Sequence, residues 1–193
     1  MHIIPFLLYV FVASFTPGPN NIMAMGLAHQ FGFKKAFRFC IGVGIGFFVI
    51  MELCSYFNLL LKDFIPKIEF GMTLLGTVYM LYLAFKMLKN KSKANADTNF
   101  KSNFLAGVLL QFINPKAILY GLTTISTFII PNYHSNVSLL IFSLLLAFIG
   151  LAATSLWGVC GSVFQKFLTQ YRSQFNIVMA LLLVYSAISI MFE

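Results

Sequence analysis

The chain has 193 residues, of which 60% are hydrophobic and only 9% are charged. A soluble domain averages about 45–50% apolar and about 25% charged residues, and a fold of this size could not hide so much apolar surface from water. The composition excludes a water-soluble protein and predicts an all-α integral membrane protein whose solvent is the lipid bilayer.

Six membrane spans are predicted in chain order from windows of about 20 apolar residues. Segments 3–28 and 104–130 are long enough to span but are interrupted by proline. Continuous spans are predicted near 36–61, 69–89, 137–164 and 174–192. The polar linker 90–103 separates the two halves, 1–89 and 104–193, of what we interpret as one transmembrane domain.

The first span is broken by the sequence TPGPNN, residues 16–21, which contains Pro17, Gly18 and Pro19. The 13 residues Ile3 to Phe15 that precede it would make about 20 Å of helix, short of a hydrocarbon core of about 30 Å. Proline lacks an N–H and clashes with the carbonyl one turn earlier, so the helix must open here. The freed backbone groups cannot face lipid and must be buried in protein or line a wet cavity. A short interfacial helix followed by a surface loop is the alternative.

The fourth span is broken in the same way between Gln111 and Pro115, in the sequence QFINPKAIL. Each break lies in the first span of its half. Because each half has three spans, an odd number, the second half enters the membrane from the opposite side and is inverted relative to the first. The predicted fold is therefore a 3+3 inverted-topology repeat with helices 1 and 4 broken. In such folds the corresponding interrupted helices mark a substrate site near the midplane.

The two half-helices at a break offer opposite polarity to a ligand. The downstream half presents N–H groups and the positive end of its dipole, which suit a carboxylate, and the upstream half ends in carbonyls, which suit an ammonium. Side chains at the same level add donors and acceptors: Thr16, Asn20, Asn21, Gln111, Asn114 and Lys116. This pattern predicts a small zwitterionic substrate. It indicates no catalytic centre, metal or cofactor.

Two charged residues lie inside predicted spans. Lys116 lies within segment 104–130, where a charge costs about 2.5–3.5 kcal/mol or more; it binds a substrate carboxylate, pairs with an acid, or snorkels to the interface. Glu52 is the acid available, and Ser55 and Tyr56 share its helix face. We predict a Glu52–Lys116 pair and, because burial disfavours the ionised carboxylate, a proton-carrying role for Glu52. Alternatively, Glu52 lies near the outer interface or faces a partner in a homo-oligomer.

Small residues in the second span are interpreted as packing positions. Gly42-x-x-x-Gly46 predicts a helix face that another helix approaches closely. Cys40 and Cys54, 14 residues apart on this helix, are separated by roughly 21 Å and cannot form a disulfide with each other. With Cys160, they are predicted to be small buried hydrophobes.

The motifs TPGPNNI and FINPKAILYG, together with six spans in two inverted halves, resemble the LysE/RhtB family of bacterial amino-acid exporters over essentially the whole chain. The runs HQFGFKKAFRF, LLQFINPKAILYGLTTISTF and NIVMALLLVYSAISI look most like its cysteine/O-acetylserine efflux branch. The resemblance implies export of a small amino acid or derivative across the bacterial inner membrane, driven by the proton gradient. It also implies functional roles for the residues of the two motifs: Pro17, Gly18, Pro19, Asn20, Asn21, Asn114 and Lys116.

Several alternatives stay open beside this interpretation. Basic-amino-acid exporters often carry an acid just after the second-span glycines, where Phe47 and Phe48 stand here, so a neutral substrate is favoured; homoserine, threonine and leucine are alternatives to cysteine. A membrane thiol–disulfide electron carrier would need cysteines at the breaks, and neither motif has one. An intramembrane enzyme lacks support because the three histidines fall at a terminus or in loops. The basic residues lie in gaps between spans, so no nucleic-acid partner is predicted.

The distribution of Lys and Arg predicts the orientation in the membrane. Ten lie in the gaps after spans 1, 3 and 5: Lys34, Lys35, Arg38, Lys86, Lys89, Lys91, Lys93, Lys101, Lys166 and Arg172. Lys62 and Lys67 are the two on the opposite side. By the positive-inside rule, the linker 90–103 lies in the cytoplasm and both termini lie outside.

Reporter fusions and protease accessibility check this topology, and a C-terminus found inside would overturn it.

Overall fold

The structure, a computed structural model, describes residues 3–61, 104–163 and 170–191, together with 74, 77, 78, 81, 82, 84, 85 and 88. Seven α-helices and one π-helix have described bounds, the described residues between 74 and 88 are also helical, and the described residues contain no strand. In chain order the helices are α1 (Ile3–Phe15), α2 (Pro19–Phe31), α3 (Phe33–Leu61), α4 (Phe104–Ile113), α5 (Pro115–Thr123), the π-helix (Thr124–Ile129), α6 (Asn136–Val163) and α7 (Arg172–Met191). The all-α prediction is confirmed.

Two of the helices, α3 over Phe33–Phe57 and α6, are long and apolar enough to cross a membrane alone. Two pairs pass the same test when taken together: α1 with α2, bent by 44°, and α4 with the run Pro115–Ile129, bent by 65°. Both bends fall at the predicted breaks. Helix α7 covers the span predicted near 174–192, whereas most of the span predicted near 69–89 and the whole linker lie outside the described residues.

The longest helix, α3, packs against α4 through glycines on both sides. A Cβ added to Gly42 would overlap the carbonyl oxygen of Phe104, and one added to Gly107 would overlap the carbonyl oxygen of Phe39. At Gly46 the added Cβ would lie 2.8 Å from the carbonyl oxygen of Val108. The backbones of the two helices are thus in contact, which confirms the packing interpretation of Gly42-x-x-x-Gly46.

Helix α6 covers the other side of the break region and packs against α2 and α3. Its Gly161 lies on the backbone of α2, where an added Cβ would overlap the carbonyl oxygen of Met25. Gly158 faces the ring of Phe33, 3.3 Å from an added Cβ. Because both small residues lie on one face, α6 can lie flat along α2, the half-helix that follows the first break.

Two buried clusters meet along α3 at the level of the breaks. Up to Val43, its buried residues pack with α2 and α4. From Phe47 onward they pack with α1, α5, the π-helix and α6. Large apolar side chains such as Ile4, Phe148 and Leu181 cover the outside and are 73%, 68% and 62% exposed, as befits a surface in contact with lipid.

Replacing Gly42 with alanine tests the contact between α3 and α4. The added methyl group must push the helices apart, and overpacking of this kind costs about 1–3 kcal/mol, so we expect a lower thermal unfolding midpoint in detergent. The matched control is Gly26→Ala in α2, where no atom of the described residues lies within 4 Å of an added Cβ. Because alanine is the better helix former, this control should keep or raise the midpoint. Equal midpoints for the two variants would contradict the contact.

Candidate functional site

The two breaks have the same local construction. Gly18 and Asn114 precede the new helices in an extended conformation, with ψ of 172° and 102°. Pro19 and Pro115 then occupy the first helical position. The residue before a proline is pushed out of the helical region, and proline suits the first position because its missing N–H would be unbonded there anyway. The short motifs therefore explain both where each helix stops and where the next begins.

Each backbone carbonyl from Val12 to Gly18 accepts a hydrogen bond from the protein itself. Most of the donors are side-chain atoms at 2.9–3.3 Å: Asn21 Nδ2 to Ser14 and Thr16, Trp157 Nε1 to Phe15, Thr16 Oγ1 to Ala13, and Lys116 Nζ to Thr16 and Pro17. These bonds meet the requirement that backbone groups be satisfied inside a membrane. The expectation that this upstream half-helix keeps free carbonyls for a ligand's ammonium is therefore wrong.

Lys116 connects the second break to the first. Its Nζ donates to Thr16 Oγ1 at 2.8 Å and to the carbonyl oxygens of Thr16 and Pro17 at 3.2 Å each. These oxygens lie at the C-terminal end of α1, where the helix dipole favours a cation. Lys116 also leaves little room at Gly18, where an added Cβ would lie 3.1 Å from its Cδ. A half-helix end from one predicted repeat thus holds the cation of the other.

The structure gives no support to the predicted ion pair, because Glu52 is not among the hydrogen-bond partners described for Lys116. Glu52 Oε1 is buried, and no described residue hydrogen-bonds it. Ser55, which was expected to bond Glu52, donates instead to the carbonyl of Met51 at 2.9 Å. The prediction matched opposite charges along the sequence but did not account for carbonyl oxygens as an alternative partner for the ammonium.

Three side-chain amides join the breaks in one network. Asn20 Nδ2 donates to Gln111 Oε1 at 2.8 Å, and Gln111 Nε2 donates back to Asn20 Oδ1 at 3.1 Å. Asn114 Nδ2 donates to the same Asn20 oxygen, also at 3.1 Å. Gln111, which is fully buried, also donates to the carbonyl of Gly107 at 2.9 Å. The predicted residues of both breaks are thus brought together, and Gln111 serves to hold them.

Asn21 fixes the turn between α1 and α2. Its Nδ2 bonds the carbonyls of Ser14 and Thr16, and its Oδ1 accepts from Thr154 Oγ1 at 3.1 Å. Thr154 and Trp157 both lie on α6 and were not predicted as site residues. The available signal was a polar hydroxyl and the chain's single tryptophan in an otherwise apolar span.

A cavity opens where the two breaks meet. The centre of a water-sized molecule can move through about 50 Å³ of it; one water needs about 10–15 Å³, so the cavity has room for a small solute. Fourteen residues line it: Ala13, Ser14, Gly18, Pro19, Asn20, Asn21, Val43, Phe47, Asn114, Lys116, Ala117, Tyr120, Gly150 and Thr154. Thr16, Gln111 and Glu52, although predicted as site residues, are not part of the lining.

The polar side of the cavity offers both donors and an acceptor. The N–H groups of Asn20 and Asn21 belong to the first turn of α2, where no intrahelical carbonyl can accept them, and they lie at the positive end of the helix dipole. Asn114 Oδ1 is buried and accepts no hydrogen bond from the described part of the chain. An anionic group and a cationic group could therefore both be held here.

Comparison with known proteins decides the family. The chain matches the LysE type translocator family over residues 11–193. It belongs to the LysE family. Its relatives include the cysteine/O-acetylserine efflux proteins of Escherichia coli (strain K12) and Shigella sonnei (strain Ss046), each 36% identical over 184 residues, or 95% of this chain and 94% of theirs. No solved structure matches it.

Membership of the LysE family confirms the resemblance indicated by the two proline motifs. The matched residues include both breaks and every residue that lines the cavity. Since this is a family of translocators, the cavity is a candidate transport site in a membrane protein. The apolar helices and the broken spans of the structure agree with this class.

Replacing Asn21 with alanine tests how the first break is held. The variant loses three hydrogen bonds, and each buried polar group left unsatisfied costs about 1–3 kcal/mol, so we expect a clearly lower thermal unfolding midpoint in detergent. Thr154→Val is the matched control because it removes one of the same three bonds and keeps the shape of the side chain. If Asn21→Ala were no less stable than Thr154→Val, the bonds to the two carbonyls would not hold the break.

Proposed function

We propose that this LysE-family protein is a secondary exporter of a small neutral amino acid or a derivative of one, similar to cysteine or O-acetylserine. The observation that carries the proposal is the cavity between the two helix breaks. It combines the N–H groups in the first turn of α2, Lys116, and Asn114 Oδ1, which accepts no hydrogen bond from the described residues. The names of the relatives, cysteine/O-acetylserine efflux proteins, agree with a substrate of this kind.

The polarity of the lining supports a defined orientation for a zwitterion. The substrate carboxylate would bind the N–H groups at the start of α2, where the helix dipole is positive, and would be attracted by the charge of Lys116, whose N–H groups already donate to Thr16 and Pro17. The substrate ammonium would donate to Asn114 Oδ1, the buried acceptor on the other break. The carboxylate thus meets N–H groups of the first half and the charge of Lys116 from the second half, and the ammonium meets an acceptor of the second half.

The same site favours the complete 3+3 inverted repeat, with residues 1–89 and 104–193 as the two halves in one transmembrane domain. Matching extended residues followed by proline, Gly18-Pro19 and Asn114-Pro115, support it. In this arrangement the protein crosses the inner membrane six times, with its linker in the cytoplasm and its termini outside. The breaks would then lie near the midplane, where alternating access requires the substrate site.

For coupling we propose that Glu52 carries the proton. Its buried Oε1 has no hydrogen-bond donor among the described residues. Glu52 lies five residues beyond Phe47 on α3, roughly 8 Å along the helix axis. Glu52 and the cavity-lining residue Phe47 are therefore close on the same helix, through which protonation of Glu52 would be coupled to the cavity.

The three cysteines give no support to a thiol–disulfide electron carrier. All are free thiols, and Cys40 and Cys54 are buried in the helical core. None of the three lines the cavity or lies at a break. The wall of the site thus lacks the reacting group that electron transfer through a disulfide would need.

Counterflow in proteoliposomes tests the proposal. Purified protein should exchange labelled cysteine, O-acetylserine or another small neutral amino acid for the unlabelled compound, and an imposed pH gradient should drive net transport. Lys116→Gln should reduce counterflow about 10-fold or more, because a charge-assisted hydrogen bond contributes about 1.5–3 kcal/mol. Glu52→Gln should keep counterflow and lose the response to the pH gradient.

Lys35→Gln is the matched control for Lys116→Gln, because it makes the same change on an exposed lysine in the first turn of α3. It should transport like the unmodified protein. No exchange of any amino acid or derivative by the unmodified protein would refute the exporter proposal. A Glu52→Gln variant with an unchanged response to pH would refute the role of Glu52 alone.

A further inference from the structure

We infer that the ring of Phe47, seated against Gly150, forms the wall that limits the transported amino acid to a short, uncharged side chain. The inference rests on the proposed function and assigns the apolar side of the same cavity. This side is made by Val43 and Phe47 of α3, Ala117 and Tyr120 of α5, and Gly150 of α6.

The position of Phe47 is fixed from two directions. Its ring centroid lies 5.3 Å from that of Tyr120 with an interplanar angle of 31°, and Tyr120 in turn stacks on Tyr9 at 5.8 Å and 7°. Phe47 is 6% exposed. Aromatic pairs of this geometry are stabilising beyond their buried area, so the pair with Tyr120 favours this position of the ring.

Gly150 provides the space in which this ring lies. A Cβ at this position would lie 3.1 Å from Cδ1 and 3.4 Å from Cε1 of Phe47. Any larger residue there would press on the ring, on the face where α6 adjoins the cavity. The distance between the polar groups at the breaks and the aromatic wall therefore depends on the absence of a side chain at residue 150.

The size of the cavity makes this distance decisive for the substrate. The centre of a water-sized molecule can move through about 50 Å³ of the cavity, which is enough for a few waters, and the ammonium, α-carbon and carboxylate of an amino acid would take part of this space. A side chain that points from the breaks toward Phe47 comes closer to the ring with each added methylene. The wall offers mainly carbon surface, to which Tyr120 adds a buried hydroxyl, and it has no charged group to pair with a charged side chain.

A chain-length series in counterflow tests the inference. Proteoliposomes that contain the protein exchange labelled serine or cysteine for the unlabelled compound. Alanine, 2-aminobutyrate, norvaline and norleucine are added as competing amino acids. We expect the unmodified protein to discriminate against the longer members. Phe47→Ala should reduce that discrimination about 10-fold or more, since one methylene in an apolar pocket is worth about 10–200-fold. Phe47→Leu should change it in the same direction by less, and provides the test should Phe47→Ala not fold.

Two further variants make the test specific. Gly150→Ala should weaken transport of all but the smallest substrates, and Phe47→Leu should restore it in the double variant, because the two residues act through one contact. Phe48→Ala is the matched control: Phe48 is the next residue on α3, is partly buried in the same core and does not line the cavity. It should leave the length profile unchanged.

The outcomes separate the inference from the function on which it rests. If the unmodified protein exchanges small amino acids but Phe47→Ala and Phe47→Leu keep its length profile, or Phe48→Ala changes it equally, Phe47 does not set the limit and the inference is wrong. If the unmodified protein exchanges no amino acid, the proposed function itself is refuted, and the inference with it.

Discussion

The fold depends on how the carbonyl end of one short helix is satisfied inside an apolar environment. Helix α1 stops at Phe15, and the carbonyls of Val12 to Gly18 would be very costly if they faced hydrocarbon. Donors from three other parts of the chain, Asn21, Lys116 and Trp157, bond the carbonyls of Ser14 to Pro17. Helices α2, α5 and α6 bring those donors to the break. The need to satisfy the end of α1 therefore constrains the positions of α1 and of these three helices.

Close helix packing makes this convergence possible. The glycines Gly42, Gly46 and Gly107 allow the backbones of α3 and α4 to touch, and this contact brings the end of α4 beside α2. The amides of Asn20, Gln111 and Asn114 then reach one another. Removing small residues from the α3–α4 contact would separate the breaks before it changed any group in the cavity, so packing and site belong to one structural unit.

The sequence predicted those features that depend only on a few neighbouring residues, such as the helix breaks. Proline, glycine and asparagine at TPGPNN and at Asn114-Pro115 predict breaks at the right residues because their backbone restrictions do not depend on the surroundings. Lys116, predicted as a site residue, lines the cavity, but the partners that the structure gives it are oxygens of the first break and not Glu52. A search for an opposite charge in the sequence selects Glu52 as the partner of Lys116. In the structure the ammonium donates to the backbone carbonyls of Thr16 and Pro17, and the sequence does not show which backbone carbonyls can accept from it.

What could not be predicted depends on which helix faces meet. Thr154 and Trp157 look like isolated polar or aromatic residues in an apolar helix, and only the approach of α6 to the break gives them partners. Phe47 and Gly150 are of residue types that usually serve packing, and they line the cavity because α3 and α6 converge there. Gln111 was expected to meet the ligand, yet its amide is used within the protein.

The partners of Lys116 have an electrical consequence. The ammonium contacts uncharged oxygens of Thr16 and Pro17, which stabilise its positive charge and add no charge of their own. A full charge that moves across a membrane potential changes energy by about 2.3 kcal/mol per 100 mV, whereas a zwitterion has no net charge for that potential to act on. Moving the Lys116 ammonium along the membrane normal relative to the groups around it is therefore a voltage-dependent step, whether or not the transported molecule carries a net charge.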